Sequence, residues 1–198
     1  MRRAELVDLI DPARLARGVL ALDLSSSTGW AFAGGDAAAH WPTSKPYADH
    51  ALVRPDPRPP AVRFGTIELG RGGHGVRGAL LSEWLRSATR PSGVVVIEQA
   101  IPAKAARANQ KSMEIALGLR MVVLAWAAQH KVEVRECPVI SAKSWFGSKM
   151  VRDKAPMMST ARLVGWDVKT DHEADALAIL DLTLARAAMA AKMRRLAA

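Results

Sequence analysis

Two short apolar runs in this chain each end in a carboxylate: VLALD, closing on Asp23, and VVVIE, closing on Glu98. This pattern constrains the fold strongly. A run of four or five apolar residues bounded by turn-forming residues reads as a buried strand, and an acid at its end needs a partner if it is to leave water. A third acid, Asp175, stands in DHEADALAIL, near the start of an apolar helical segment. The three lie far apart in the chain but can meet at one end of a sheet. Carboxylates held together on a rigid frame repel one another unless a cation lies between them, and an all-oxygen site suits Mg²⁺ or Mn²⁺. The residues therefore point to a divalent-metal site for phosphoryl transfer.

Composition narrows the partner. The chain has 198 residues, 49% of them hydrophobic, enough for one buried core and short for two. A single α/β domain is expected over residues 1–198, with an N-terminal extension at 1–17 and an insertion at 34–63. Its 28 Lys and Arg against 19 Asp and Glu leave a net charge of +9, which favours a polyanion such as nucleic acid. Solvated surface Lys and Arg are the plainer explanation of that charge. The single cysteine, Cys137, excludes an internal disulfide framework and fits a reducing cytoplasm. No membrane partner is expected: the longest apolar stretch, ALGLRMVVLAWAA, is interrupted by Arg120 and falls short of a bilayer.

Strands are expected at 19–23, from Trp30, at 63–69, at 94–98 and at 132–137, with helices over 79–89, 103–129, 154–164 and 171–195. Strands first, then alternating helices and strands, give an α/β fold with a mixed sheet. Residues 34–63 hold six prolines, so no regular element is expected to run through them. The glycine-rich GRGGHGVRG reads as a loop offering Arg71, His74 and Arg77 to DNA, and SAKSWFGSKMVRDK as a basic loop.

Each acid also has a structural explanation. Asp23, followed by serines, can shape a turn, and Glu98 can serve a structural ion pair. At the last helix, Thr170 and Glu173 have the spacing of a capping box. His172, Asp175 and Asp171 share a helical face, and Asp171 either ligates or favours the helix N-terminus.

Together these residues resemble the RuvC-type Holliday junction resolvases of the RNase H-like (retroviral-integrase) superfamily, over most of 19–184. VLALDLSSSTGWAFA looks like that family's first strand with its leading Asp, VVVIEQ like the strand bearing its catalytic Glu, and HEADALAIL like its closing helix. The resemblance implies an RNase H-like mixed β-sheet flanked by helices. It assigns Asp23, Glu98, His172 and Asp175 as the metal and catalytic set for two Mg²⁺ ions, Mn²⁺ being an alternative. Lys143 and Lys154 fall where the family has basic residues for catalysis and junction binding. It further implies paired nicks in a four-way junction by a homodimer, whose surface the helix with Met113, Leu117, Met121, Leu124 and Trp126 would supply if these are not core. Three departures stand out, the N-terminal extension at 1–17 being one. Ile101 and Pro102 follow the Glu where some members place an aromatic residue, and the 34–63 insertion replaces a tight connection. Such decorations fit a divergent branch, phage-encoded members included.

Four rivals remain. GHGVRG matches the GxGxxG of dinucleotide folds, with Glu98 about twenty residues further on, yet that reading leaves Asp23 and HEADALAIL unexplained. Actin-like ATPases also begin with a strand, an Asp and a Ser/Thr/Gly turn, but need two such domains. A DNA-binding relative without catalysis, or a nuclease for other branched DNA, would share the fold.

Overall fold

The computed structural model describes residues 10–46, 61–88, 92–99, 110–147 and 155–197. Among these residues, five strands form one mixed sheet: β1 (Val19–Asp23), β2 (Ser27–Ala33), β3 (Arg63–Glu68), β4 (Val94–Glu98) and β5 (Glu133–Cys137), in the order β3-β2-β1-β4-β5. The first three make an antiparallel meander, while β4 runs parallel to β1 and β5 parallel to β4. The helices are α1 (Pro12–Leu15), α2 (Gly35–Ala39), α3 (His74–Ala88), α4 (Gln110–Gln129), α5 (Val139–Trp145), α6 (Ala155–Leu163) and α7 (Asp171–Ala197). This is the expected α/β architecture, a mixed sheet flanked by helices.

Strand alternation sorts the interior into two cores. Val19 and Ala21 of β1 and Val94 and Val96 of β4 pack with α5, α6 and α7, whereas Leu20, Leu22, Val95 and Ile97 pack with α3 and α4. Covered on both faces, β1 and β4 need apolar residues at every position, which is why they read as continuous runs. The edge strand β5 is protected by charge instead: Glu133 pairs with Arg14 at 3.3 Å and with Arg135, and Glu136 pairs with Arg120 of α4.

Several expectations change. The helix expected from 79 begins at His74, so most of the glycine-rich GHGVRG is helical, not a loop. The strands before and after α3, β3 and β4, are separated in the sheet by β2 and β1. A dinucleotide fold needs them adjacent, so that reading is excluded. The first part of the expected basic loop forms α5, whose Ala142, with Phe146 just after it, enters the core. The proline-rich insertion contributes α2 and Trp41, which is 3% exposed and part of the core, so its start is not merely a surface loop. Of the N-terminal extension, Ile10 is buried and α1 forms a single turn. Helix α4 is, by length and composition alone, apolar enough to cross a membrane, but Ile115, Leu119, Val123, Trp126 and Ala127 bury one side of it in the fold. Trp126 is therefore core, while Leu117 and Met121 are exposed.

Candidate active site

The parallel pairing of β1 and β4 aligns Leu22 with Ile97. Asp23 and Glu98, one residue further, leave the sheet side by side at its C-terminal edge. Alternation turns both toward α7, because they continue the series Val19, Ala21 and Val94, Val96.

Helix α7 starts at the same edge. Its first turn is fixed by the expected capping box: the Glu173 N–H donates to Thr170 Oγ1 at 3.1 Å, and the N–H groups of Lys169 and Thr170 donate to Glu173 Oε2 at 2.6 and 3.3 Å. The Thr170 hydroxyl also meets that of Thr66 on β3 at 2.8 Å, tying the cap to the sheet. Beside it lies Gly29, which pairs across the strands with Asp23. A Cβ on Gly29 would fall 1.9 Å from the backbone carbonyl oxygen of His172. Only glycine lets α7 come this close, and sequence reasoning missed it, although a glycine inside a strand often signals close backbone approach.

The approach brings His172 and Asp175 to the strand ends. His172 Nδ1 lies 2.9 Å from Asp23 Oδ2. A carboxylate accepts, so Nδ1 donates, which in the neutral ring assigns the lone pair to Nε2. Asp175 Oδ2 lies 3.9 Å from Lys143 Nζ on α5. Glu98 feels all of them: its carboxyl is pushed up to about 8, first by burial, then by the negative charges of Asp23 and Asp175, with Lys143 acting in the opposite direction. Four residues from β1, β4 and α7 thus converge, and Lys143 joins them from α5.

The donor set suits a hard divalent cation. It offers three carboxylates at one place, and their mutual repulsion falls on Glu98. Among the described residues, no group of three or more His, Cys, Asp or Glu side chains is placed as it stands to hold a metal ion. Asp23 is turned to the His172 imidazole and Asp175 to the Lys143 ammonium. Both observations hold together: the carboxylates are near enough to raise Glu98, and protein donors engage the two at its side.

The other expected site residues lie elsewhere. Arg71 is exposed on the turn before α3. Arg77, expected at a DNA surface, is 9% exposed, and its Nε donates to the Gly70 carbonyl at 3.1 Å, so it fastens that turn. Asp171 opens α7 and is half-buried. Lys154, Ile101 and Pro102 lie outside the described residues.

Thermus thermophilus RuvC aligns over 87% of this chain and 96% of its own with a TM-score of 0.55 and 16% identity. The fold is that of RuvC. The same protein in complex with a Holliday junction substrate aligns with a TM-score of 0.54 at 14% identity, over 87% of this chain and 96% of that one. The yeast mitochondrial Holliday junction resolvase Ydc2 aligns over 92% of this chain and 83% of its own, with a TM-score of 0.57 and 13% identity. In sequence, no protein-family model matches and no curated protein is similar. The likeness to RuvC is therefore one of fold.

Proposed function

We propose that this chain is a structure-selective DNA endonuclease that resolves four-way (Holliday) junctions by metal-dependent phosphodiester hydrolysis. The observation that carries this reading is the convergence of Asp23, Glu98 and Asp175, with Lys143 beside them, at one edge of a RuvC-like sheet. The net charge of +9 supports a polyanionic substrate.

Asp23, Glu98 and Asp175 would hold two Mg²⁺ ions, or Mn²⁺ in their place. When bound, the ions supply activation of water and stabilisation of the leaving 3′ oxygen. The protein's own groups do the rest. The Asp23 carboxylate holds the His172 ring in one tautomer, leaving Nε2 to ligate or to orient the attacking water. Lys143, 13% exposed and already beside Asp175, neutralises phosphate charge next to the cut. Lys154 and Arg71 would add backbone contacts that position the duplex arms without reading sequence.

A four-way junction has two-fold symmetry, so paired nicks call for a C2 homodimer with two such sites. The packed pair α3 and α4 leaves Val76, Leu80, Leu117 and Met121 exposed, an apolar surface suited to a second copy. We assign the protein to the cytoplasm, in keeping with its single, buried cysteine.

The test is incubation with labelled four-way junction, flap, duplex and single-stranded DNA, with Mg²⁺ or with EDTA. Paired symmetric nicks in the junction alone, abolished by EDTA, are expected. Cutting of flaps in preference to junctions would move the substrate to other branched DNA. No cutting of any branched DNA would leave a binding protein on a nuclease fold.

A further inference from the structure

Helix α7 carries another carboxylate that the chemistry above does not use. Asp181 is six residues beyond Asp175, about 9 Å along the helix, and has no solvent exposure. A carboxylate so placed needs strong donors. Two are indole N–H groups: Trp41 Nε1 donates to Oδ1 at 2.8 Å and Trp145 Nε1 to Oδ2 at 2.5 Å. A well-packed apolar residue at this position would avoid the cost of burying a charge, so helix packing alone does not explain an acid there.

The two indoles come from different parts of the chain. Trp41 belongs to the start of the 34–63 insertion and stacks on Trp166 with ring centroids 6.3 Å apart. Trp145 ends α5, two residues after Lys143. Helix α5 has only seven residues, and its N-cap, Pro138, makes no side-chain capping bond. A helix this short does not hold its orientation alone; it depends on tertiary anchors. The buried neighbours Ala142 and Phe146 supply apolar anchorage, and Thr160 Oγ1 donates to the Phe146 carbonyl at 2.9 Å just past the helix end. The bond from Trp145 to Asp181 is directional and is made on α5 itself, two residues from the Lys143 that reaches Asp175.

We propose that Asp181 is a positioning residue for the active site: by holding the Trp145 indole it sets the rotation of α5 and thereby keeps the Lys143 ammonium beside Asp175 and Glu98. The inference deepens the nuclease reading and rests on it for the role of Lys143. Trp41, on the same carboxylate, ties the insertion to this point and is not part of α5.

Two variants separate positioning from general loss of structure. Asp181→Ala removes both anchors and risks the fold. Trp145→Phe keeps the ring packing and removes the N–H that belongs to α5, and Trp41→Phe removes the other N–H, which belongs to the insertion. Acetic anhydride labelling of the full chain, read by peptide mass spectrometry, reports the reactivity of the Lys143 amine. Trp145→Phe is expected to raise Lys143 acetylation several-fold, with Trp41→Phe near wild type. In single-turnover cleavage of a labelled junction with Mg²⁺, Trp145→Phe should slow cutting about tenfold, as misplacement of a charged group does. It should add no further loss in a Lys143→Ala background, where a purely structural defect would multiply. Equal acetylation of Lys143 in wild type and Trp145→Phe, or multiplicative losses in the double variant, would overturn the proposal. Failure of the wild type to cut any junction would sink the nuclease reading instead, and the acetylation comparison would still decide whether Asp181 positions Lys143.

Discussion

On the face covered by α3 and α4, β1 and β4 present Leu20, Leu22, Val95 and Ile97 to Leu81, Leu85, Leu119 and Val123. On the face covered by α7, the same two strands present Val19, Ala21, Val94 and Val96, and then Asp23 and Glu98. The difference lies in side-chain size as much as polarity. Large side chains hold α3 and α4 off the sheet and fill the gap with apolar volume. Opposite α7, β2 offers Gly29, Ala31 and Ala33, and α7 answers with Ala174 and Ala178. Small residues let two backbones approach, and here that brings the side chains of His172 and Asp175 to the strand ends. Both faces carry an apolar core, but where α7 crosses β1 and β2 the α7 side gives up side-chain volume, and there the charges assemble.

The largest expected effect tests the charged face. Asp23→Asn should cut junction cleavage by about a thousandfold or more, with unfolding in urea nearly unchanged. A variant that cleaves as fast as wild type would make Asp23 a turn residue and dissolve the contrast. On the other face, Leu81→Ala should lose about 2–5 kcal/mol in urea unfolding, and its cleavage rate per folded molecule should match wild type. Gly29→Ala is intermediate. Its new methyl meets the His172 backbone, not a mobile side-chain end, so α7 has to shift; we expect about 1–3 kcal/mol of destabilisation. Unlike Leu81→Ala it should also impair cleavage and move the His172 imidazole resonances in NMR spectra. Loss of stability without either change would mean that close approach serves packing only.

The contrast between the faces also marks what could be read from sequence. VLALD and VVVIE announced their strands because central strands buried on both sides are apolar throughout, and a terminal acid breaks that run visibly. Thr170 and Glu173 were legible for a similar reason: a capping box is local chemistry at fixed spacing. The placements that failed depend on contacts distant in the chain. Ser141 to Trp145 look like a basic loop until Ala142 and Phe146 find the core beside α7. Trp41 looks stranded among prolines until Asp181, 140 residues away, accepts its N–H. Arg77 looks like a DNA contact in a glycine-rich loop, yet it bonds to Gly70, and glycine at 75 and 78 did not prevent α3 from starting at His74. Glycine lowers helix propensity by about 1 kcal/mol, a cost that packing against α4 offsets. The acids of the site were visible one by one, whereas the partnership of Asp23 with His172 follows from Gly29 and could be known only in three dimensions.

The smallest effect bears on how far the charged face is under strain. Glu98 ionises near 4.5 when exposed and near 8 in the fold, chiefly because it is buried and secondarily because Asp23 and Asp175 repel its charge. At low pH both folded and unfolded chains carry the proton, and the folded state suffers nothing from this residue. As pH rises past the unfolded value the unfolded chain releases its proton while the fold retains it, so stability falls, and the loss is complete once pH passes the folded value. Between about pH 6 and about pH 8 the metal-free protein should therefore lose on the order of 1–2 kcal/mol through Glu98. Glu98→Gln, which cannot ionise, should remove that slope, so the two urea-unfolding curves should draw together at low pH and separate at high pH, with the variant the more stable. Mg²⁺ should reverse the order at high pH, because it stabilises the ionised carboxylate of the wild type and gains less from the amide. Parallel pH profiles for wild type and Glu98→Gln would show that the carboxylates at this edge are relaxed by solvent, and the two faces of the sheet would then differ in packing but not in stored charge.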